Sequence, residues 1–180
     1  MKTSTLKACE MYHYMYHYHQ QNQTKPINTP ISSNPDGTIG DEDRAVLTTI
    51  GRWLKTNGEA IYGAKPWKRF GEGPTQIIEG QFSDSVKKNF TSRDVRYTIN
   101  GSDLYAIAMR LAADGVYRFE RLKEGDAEHN ADFHGLIDHV DVLGVVDHVE
   151  WTRDETALEV RVPVSAITGD EPVVFRVVVA

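Results

Sequence analysis

The sequence predicts a mainly β protein, an antiparallel β-sandwich preceded by one helix. Three observations carry this. From about residue 93 to the C-terminus, about seven short segments of alternating apolar and polar residues follow one another at hairpin spacing. No helix-period segment lies among them. Upstream, residues 41–56 place apolar residues at three- and four-residue spacing.

Residues 1–25 stand apart from the rest. In "MYHYMYHYHQQNQTK", Tyr12, Tyr14, Tyr16 and Tyr18 alternate with Met and His, and a glutamine- and asparagine-rich run follows. Such a run lacks the apolar surface needed to offset the entropy of ordering, so a disordered low-complexity tail is expected. Residues 26–40, "PINTPISSNPDGTIG", are punctuation, with Asn34-Pro35-Asp36-Gly37 a strong turn signal.

The helix over 41–56 is the clearest local element. Asp41, Glu42 and Asp43 suit the positive end of its dipole, and Lys55 suits the other end. Val46, Leu47, Ile50, Trp53 and Leu54 form one apolar stripe. Asn57-Gly58 is expected to supply a left-handed stop.

Residues 64–92 carry Gly and Pro without a clear period and read as a connector, with a short strand near 76–81. The β pattern then begins. "DVRYTI" alternates Val95, Tyr97 and Ile99, and Asn100-Gly101 marks a hairpin turn. "LYAIAMRL" places Tyr105, Ile107 and Met109 on one face. Asp114-Gly115 turns the chain into "VYRFERL", a polar loop spans 123–134, and four more segments follow: "LIDHVDVLG", "DHVEWTRD", "ALEVRVPV" and "PVVFRVVV".

A chain of 180 residues suits one domain, or one domain and part of another, and its 40% hydrophobic and 26% charged residues are ordinary for a globular protein. No apolar run reaches the roughly 18 residues that span a bilayer. The first residues, "MKTSTLKACEMYHY", lack the apolar core of a signal peptide, so no membrane partner is expected. The net charge is −6, and residues 120–160 hold twelve Asp and Glu against three Lys and Arg. That surface repels phosphate backbones and argues against nucleic acid.

Candidate chemistry is sparse. Cys9 is the single cysteine, which excludes an internal disulfide and a cysteine-rich zinc site. His13, His17 and His19 could hold a metal, but no carboxylate completes a first shell beside them. His129, His134, His139 and His148 are scattered; His139 and Asp141 share a strand face and could ligate, although solvent-facing strand positions are the commoner use. Glu59 is a conceivable general acid, yet just past a helix stop it is better placed to accept backbone N–H groups. Trp67 and Trp151 could stack on sugars, with core packing the more usual role.

One long string carries more information: "NPDGTIGDEDRAVLTTIGRWLKTNGEAIYGAKPWKRFGEGPT". It resembles the close of the catalytic domain in α-L-fucosidases of glycoside hydrolase family 29. "FTSRDVRYTINGSDLYAIAM", "VDVLG" and the hairpin from Trp151 to Val162 resemble that family's C-terminal β-sandwich. The resemblance covers about residues 34–180. Residues 1–25, the low-complexity tail, match nothing in the family, and the resemblance implies a remnant of a TIM-like barrel over 26–63. A connector over 64–92 and a C-terminal sandwich over 93–180 complete the division. Trp53, Gly58, Tyr62 and Trp67 would pack the two domains together.

The family hydrolyses terminal α-L-fucosides with retention, through an aspartate nucleophile and a separate acid/base carboxylate, without metal or cofactor. Those carboxylates lie upstream of everything matched, so no catalytic residue carries over to this chain. A barrel needs roughly 250 residues. The implied partners are fucosylated glycans, reached through the whole enzyme, and the missing barrel itself. With that barrel absent, part of the 41–56 stripe should stay exposed and drive self-association. A free-standing carbohydrate-binding or protein-interaction sandwich is the alternative, favoured by an exposed Trp151. The family is often secreted, periplasmic or lysosomal.

Overall fold

The computed structural model describes residues 35–75, 90–125, 132–146, 148–167 and 169–180. The tail over 1–25, its tyrosines and histidines, Cys9, His129 and the strand expected near 76–81 lie outside these residues.

Among the described residues, one α-helix, α1 (Asp41–Asn57), precedes eight strands: β1 (Lys65–Glu72), β2 (Val95–Asn100), β3 (Asp103–Ala108), β4 (Val116–Phe119), β5 (Ile137–Val142), β6 (Glu150–Arg153), β7 (Leu158–Arg161) and β8 (Val173–Val179). All pairings are antiparallel. β1, β2, β3, β8 and β5 form a five-stranded sheet in that order, and β4, β7 and β6 form a three-stranded one. The mainly β sandwich with one leading helix is therefore as expected.

Two apolar layers hold it. Between the sheets lie Val95, Tyr97, Leu104 and Ala106 of the larger sheet, with Phe119, Leu158 and Val160 of the smaller. Phe175 packs at its centre, 4.7 Å from the Tyr117 ring and 5.0 Å from Phe119. On the other face of the larger sheet, Tyr105, Ile107, Met109 and Val174 meet Val46, Ile50 and Trp53 of α1. The period-2 pattern of β3 explains both layers, since alternate residues point to opposite faces and every one of them is buried.

Part of the α1 stripe is expected to stay exposed, and this arrangement covers most of it, leaving Leu47 and Leu54 half-buried. Val46, Ile50 and Trp53 are buried and Leu54 packs beside them. The outer face of the sheet is itself apolar, so the two surfaces cover each other and the stripe is used within the chain. Trp53 adds a polar tie, donating its Nε1–H to Pro172 O at 2.7 Å.

β1 falls in the stretch expected to be connector. It is an edge strand bearing charge at Lys65, Lys68, Arg69 and Glu72, with Pro66 inside it and an irregular register between Pro66 and Gly71. Proline and charge are what a sheet edge tolerates, and they erase the alternation by which a strand is recognised.

The end of α1 also differs from expectation. Gly58 is right-handed, with φ −61°, and the chain continues into a 3₁₀ turn over Gly58–Ala60. The left-handed residue is Gly63, with φ +72°.

Truncation should reveal the helix–sheet layer. Ile50→Ala is expected to cost about 2–5 kcal/mol, while Leu47→Ala, at a half-buried position, costs markedly less. Urea unfolding of the two variants measures the difference.

Candidate functional site: the junction between helix and sheets

The string from Asn57 to Trp67 joins α1 to the sandwich, and hydrogen bonds fix its turn. Asn57 donates to Trp53 O at 3.1 Å, closing the last helical turn. Ile61 N–H and Tyr62 N–H both donate to Gly58 O, at 2.9 and 2.7 Å. From β2, the Thr98 hydroxyl donates to Ala60 O, and the Asn100 amide donates to Glu59 O and Tyr62 O. The turn is thus fixed to the sheet through its own carbonyls.

Gly58 serves close approach rather than helix reversal. A Cβ there would meet the Tyr62 ring at 2.8 and 2.9 Å. With one edge against Gly58, Tyr62 is 63% exposed. Trp67 goes the other way, into the inter-sheet layer, with its ring edge-on to Tyr97 at 5.2 Å and Phe133 at 6.4 Å. Of the four residues expected to pack domains together, Trp53 and Trp67 are buried in separate layers of this chain, Gly58 makes room, and Tyr62 faces outward.

Glu59 is exposed and interacts with the Tyr105 hydroxyl. Burial, with the charge of Glu59 and a hydrogen bond to it adding to the effect, pushes the Tyr105 hydroxyl up to about 12. Asp103 pairs with Arg176 nearby, at 2.6 Å.

His139 sits between two carboxylates, Nδ1 at 2.8 Å from Asp138 and Nε2 at 3.4 Å from Asp141. The hydrogen bond to Asp138 raises its pKa first, with the charges of Asp141 and Asp138 adding to it. Among the described residues no three His, Cys, Asp or Glu side chains group as a metal site. His134 and His148 are exposed and separate from these residues. Trp151 is half-buried against the inter-sheet layer. An open cleft of about 400 Å³ lies between the C-terminal half of α1, the β5–β6 turn and the segment before β8. Arg52, Thr56, Leu143, Ile167 and Glu171 are among its walls.

Sequence reasoning missed the interior charges. Glu72 accepts from Tyr97 Oη at 2.8 Å and from the Glu120 and Arg121 amides, each at 3.0 Å. Burial raises its pKa, and those three bonds oppose the rise. Burial, joined by the charge on Glu72, places the Tyr97 hydroxyl well above its ordinary range. Asp94 is fully buried and accepts the N–H and hydroxyl of both Thr75 and Thr91, at 2.7–2.9 Å. Arg153 donates to the carbonyls of Leu122, Lys123, Gly135 and Phe133. None of these pairings has a spacing signal, because each joins residues distant in sequence or hidden in a turn.

The architecture defines a class: a two-sheet β-sandwich carrying a helix on the outer face of its larger sheet. The chain is related to the α-L-fucosidases of glycoside hydrolase family 29, as its motifs suggest. It is 30% identical over 124 residues to the human tissue α-L-fucosidase and 28% identical over 124 residues to that of Rattus norvegicus, covering 69% of this chain in each case. Over 90 residues it is 37% identical to the Macaca fascicularis protein. The chain spans about a fifth of the length of these relatives, 21% of the first two.

In structure it is similar to the Thermotoga maritima α-L-fucosynthase, with TM-score 0.64, 18% identity, and 95% of this chain and 33% of that one covered. It is similar also to α-L-fucosidase isoenzyme 1 of Paenibacillus thiaminolyticus, with TM-score 0.59, 18% identity, and 96% and 34% covered. No family model matches the chain.

The Tyr105–Glu59 pair gives a direct test. A phenol whose folded pKa lies above its unfolded value favours the fold below pH about 10 and loses that contribution as pH rises toward about 12. Ultraviolet titration should show one tyrosine ionising near 12, and Glu59→Gln should lower that value.

Proposed function

We propose that this chain is the C-terminal portion of an α-L-fucosidase, a retaining hydrolase of terminal α-L-fucosides. In this reading α1 is the last helix of a TIM-like catalytic barrel, and the sandwich behind it is non-catalytic. The observation that carries the reading is the 124-residue similarity to tissue α-L-fucosidases, which occupies most of this chain and about a fifth of theirs. The catalytic carboxylates belong to the part outside the match. The role of the chain is mechanical: it presents α1 and Tyr62 to the barrel and holds them rigid.

The junction geometry supports that role. Trp53 and Trp67 lock the helix and β1 into two layers of the sandwich, so a barrel docked on α1 would be braced by both. Tyr62, held against Gly58, offers an aromatic surface of the kind enriched where proteins meet. Fucosylated glycans are then substrates of the whole enzyme. The alternative, a free-standing carbohydrate-binding module, would call for an exposed platform at Trp151, and that residue is instead half-buried on the inter-sheet layer.

Retaining hydrolysis needs two carboxyl groups about 5–5.5 Å apart across a sugar pocket. The purified chain is therefore expected to leave a chromogenic α-L-fucoside unhydrolysed. Turnover that is lost in Glu59→Gln would overturn the reading. Mixing with a separately produced fucosidase barrel should raise the thermal stability or activity of that barrel, and Tyr62→Ala should weaken the effect.

A further inference from the structure

We propose that the cleft beside the C-terminal half of α1 binds a small zwitterion with an apolar side chain, of the free α-amino acid kind. Its volume, about 400 Å³, falls within the roughly 300–1,000 Å³ of small-molecule sites. Three segments wall it, and each is tied to another. Trp53 Nε1–H donates to Pro172 O at 2.7 Å, joining α1 to the segment before β8. Leu143 N–H donates to Val174 O at 2.9 Å, joining the β5–β6 turn to β8. Gly144, with φ +83°, lies so close to α1 that a Cβ on it would meet Thr56 Cγ2 at 2.7 Å. The walls are therefore held by the fold itself, and little ordering remains to be done on binding.

Much of the lining is apolar, Leu143, Val145 and Ile167 included. Two charges stand in it, Arg52 on α1 and Glu171 before β8, and no other charged residue lines the cleft. Arg52 is exposed and Glu171 half-buried. Neither makes a hydrogen bond or an ion pair, with the other or with any described residue. Asn57 lines the same cleft and is only 7% exposed. One of its amide N–H groups goes to Trp53 O at 3.1 Å, while its amide oxygen has no partner among the described residues. An amide so deeply set has its spare bonds met from the cleft, by water or by a ligand.

These groups select a dipolar ligand. A carboxylate suits the Arg52 guanidinium, which offers paired N–H donors in one plane. An ammonium has only donors, and Glu171 and the Asn57 amide oxygen are acceptors. A simple anion would meet Arg52 but be repelled by Glu171, and a simple cation the reverse. A molecule carrying both charges satisfies both walls with no change in net charge. An apolar side chain on it would cover Leu143 and Ile167.

The site lies within this chain and stands apart from the fucosidase reading. The test is an NMR titration of the chain with L-leucine at constant pH and ionic strength. It follows the Arg52 Nε–H and Gly144 amide resonances. L-leucine should shift both saturably. Leucinamide lacks the carboxylate, N-acetylleucine lacks the ammonium and glycine lacks the apolar side chain, so each should bind more weakly. Arg52→Gln and Glu171→Gln should each weaken L-leucine binding about tenfold or more. Neither side chain is bonded in the folded chain, so melting curves should confirm that both variants fold. Linear unsaturable shifts with L-leucine would overturn the proposal. So would any of the three analogues binding as tightly as L-leucine, or unaltered L-leucine binding in either variant.

Discussion

Strand β3 has no face that water can reach. Leu104, Ala106 and Ala108 point between the sheets, and Tyr105 and Ile107 point away from them, all buried. Its neighbour β8 repeats the pattern with Phe175 and Val177 on one side and Val174 on the other. Burial of such side chains is worth roughly 1.5–3 kcal/mol each, so a central pair with two apolar faces needs two covers. The small sheet of β4, β7 and β6 supplies one and α1 the other. The helix is consequently part of the domain's core, even where the resemblance assigns it to a neighbouring unit.

Around this apolar centre, charged groups fix the irregular chain. Asp94 binds Thr75 and Thr91 through four bonds and so draws the two ends of the intervening stretch together. Arg153 joins residues 122–123 to 133 and 135 by four carbonyls, with its guanidinium 5.0 Å over the Phe133 ring. Glu72 ties the edge strand of one sheet to the turn after β4 in the other. A buried charge is costly unless its hydrogen-bonding capacity is met, so each of these groups enforces one arrangement of the loops it touches.

What could be read from residues alone follows the range of the interaction. Helix α1 declares itself because Val46, Ile50 and Trp53 repeat within one segment, β2 because Val95, Tyr97 and Ile99 alternate with polar residues, and β3 and β8 because each is a short apolar run, all of them local signals. β1 escapes detection because an edge strand with one buried anchor, Trp67, and a proline has almost no alternation to show. The cover of α1 is illegible for a different reason: its own stripe says only that something must cover it, and the cover comes from β3 and β8, between Tyr105, 52 residues beyond Trp53, and Val174, 128 residues beyond Val46. Gly58 makes room for the Tyr62 ring and Gly63 supplies the left-handed residue, a division that sequence does not show, since a glycine does not say whether a dihedral angle or a neighbouring ring requires it. The charge-mediated clasps of Asp94, Glu72 and Arg153 join distant residues and leave no periodic trace.

Asn100 shows how a local motif can be overruled by its surroundings. Asn100-Gly101-Ser102 has the N-x-S spelling of a glycan acceptor. Its amide nitrogen, the atom a glycan would be attached to, already donates to Glu59 O at 2.8 Å and Tyr62 O at 3.3 Å. Carrying a sugar there would mean surrendering the contacts that hold the helix-to-strand turn against β2. In the folded chain the acceptor is therefore masked, and any attachment to it has to compete with closure of that turn.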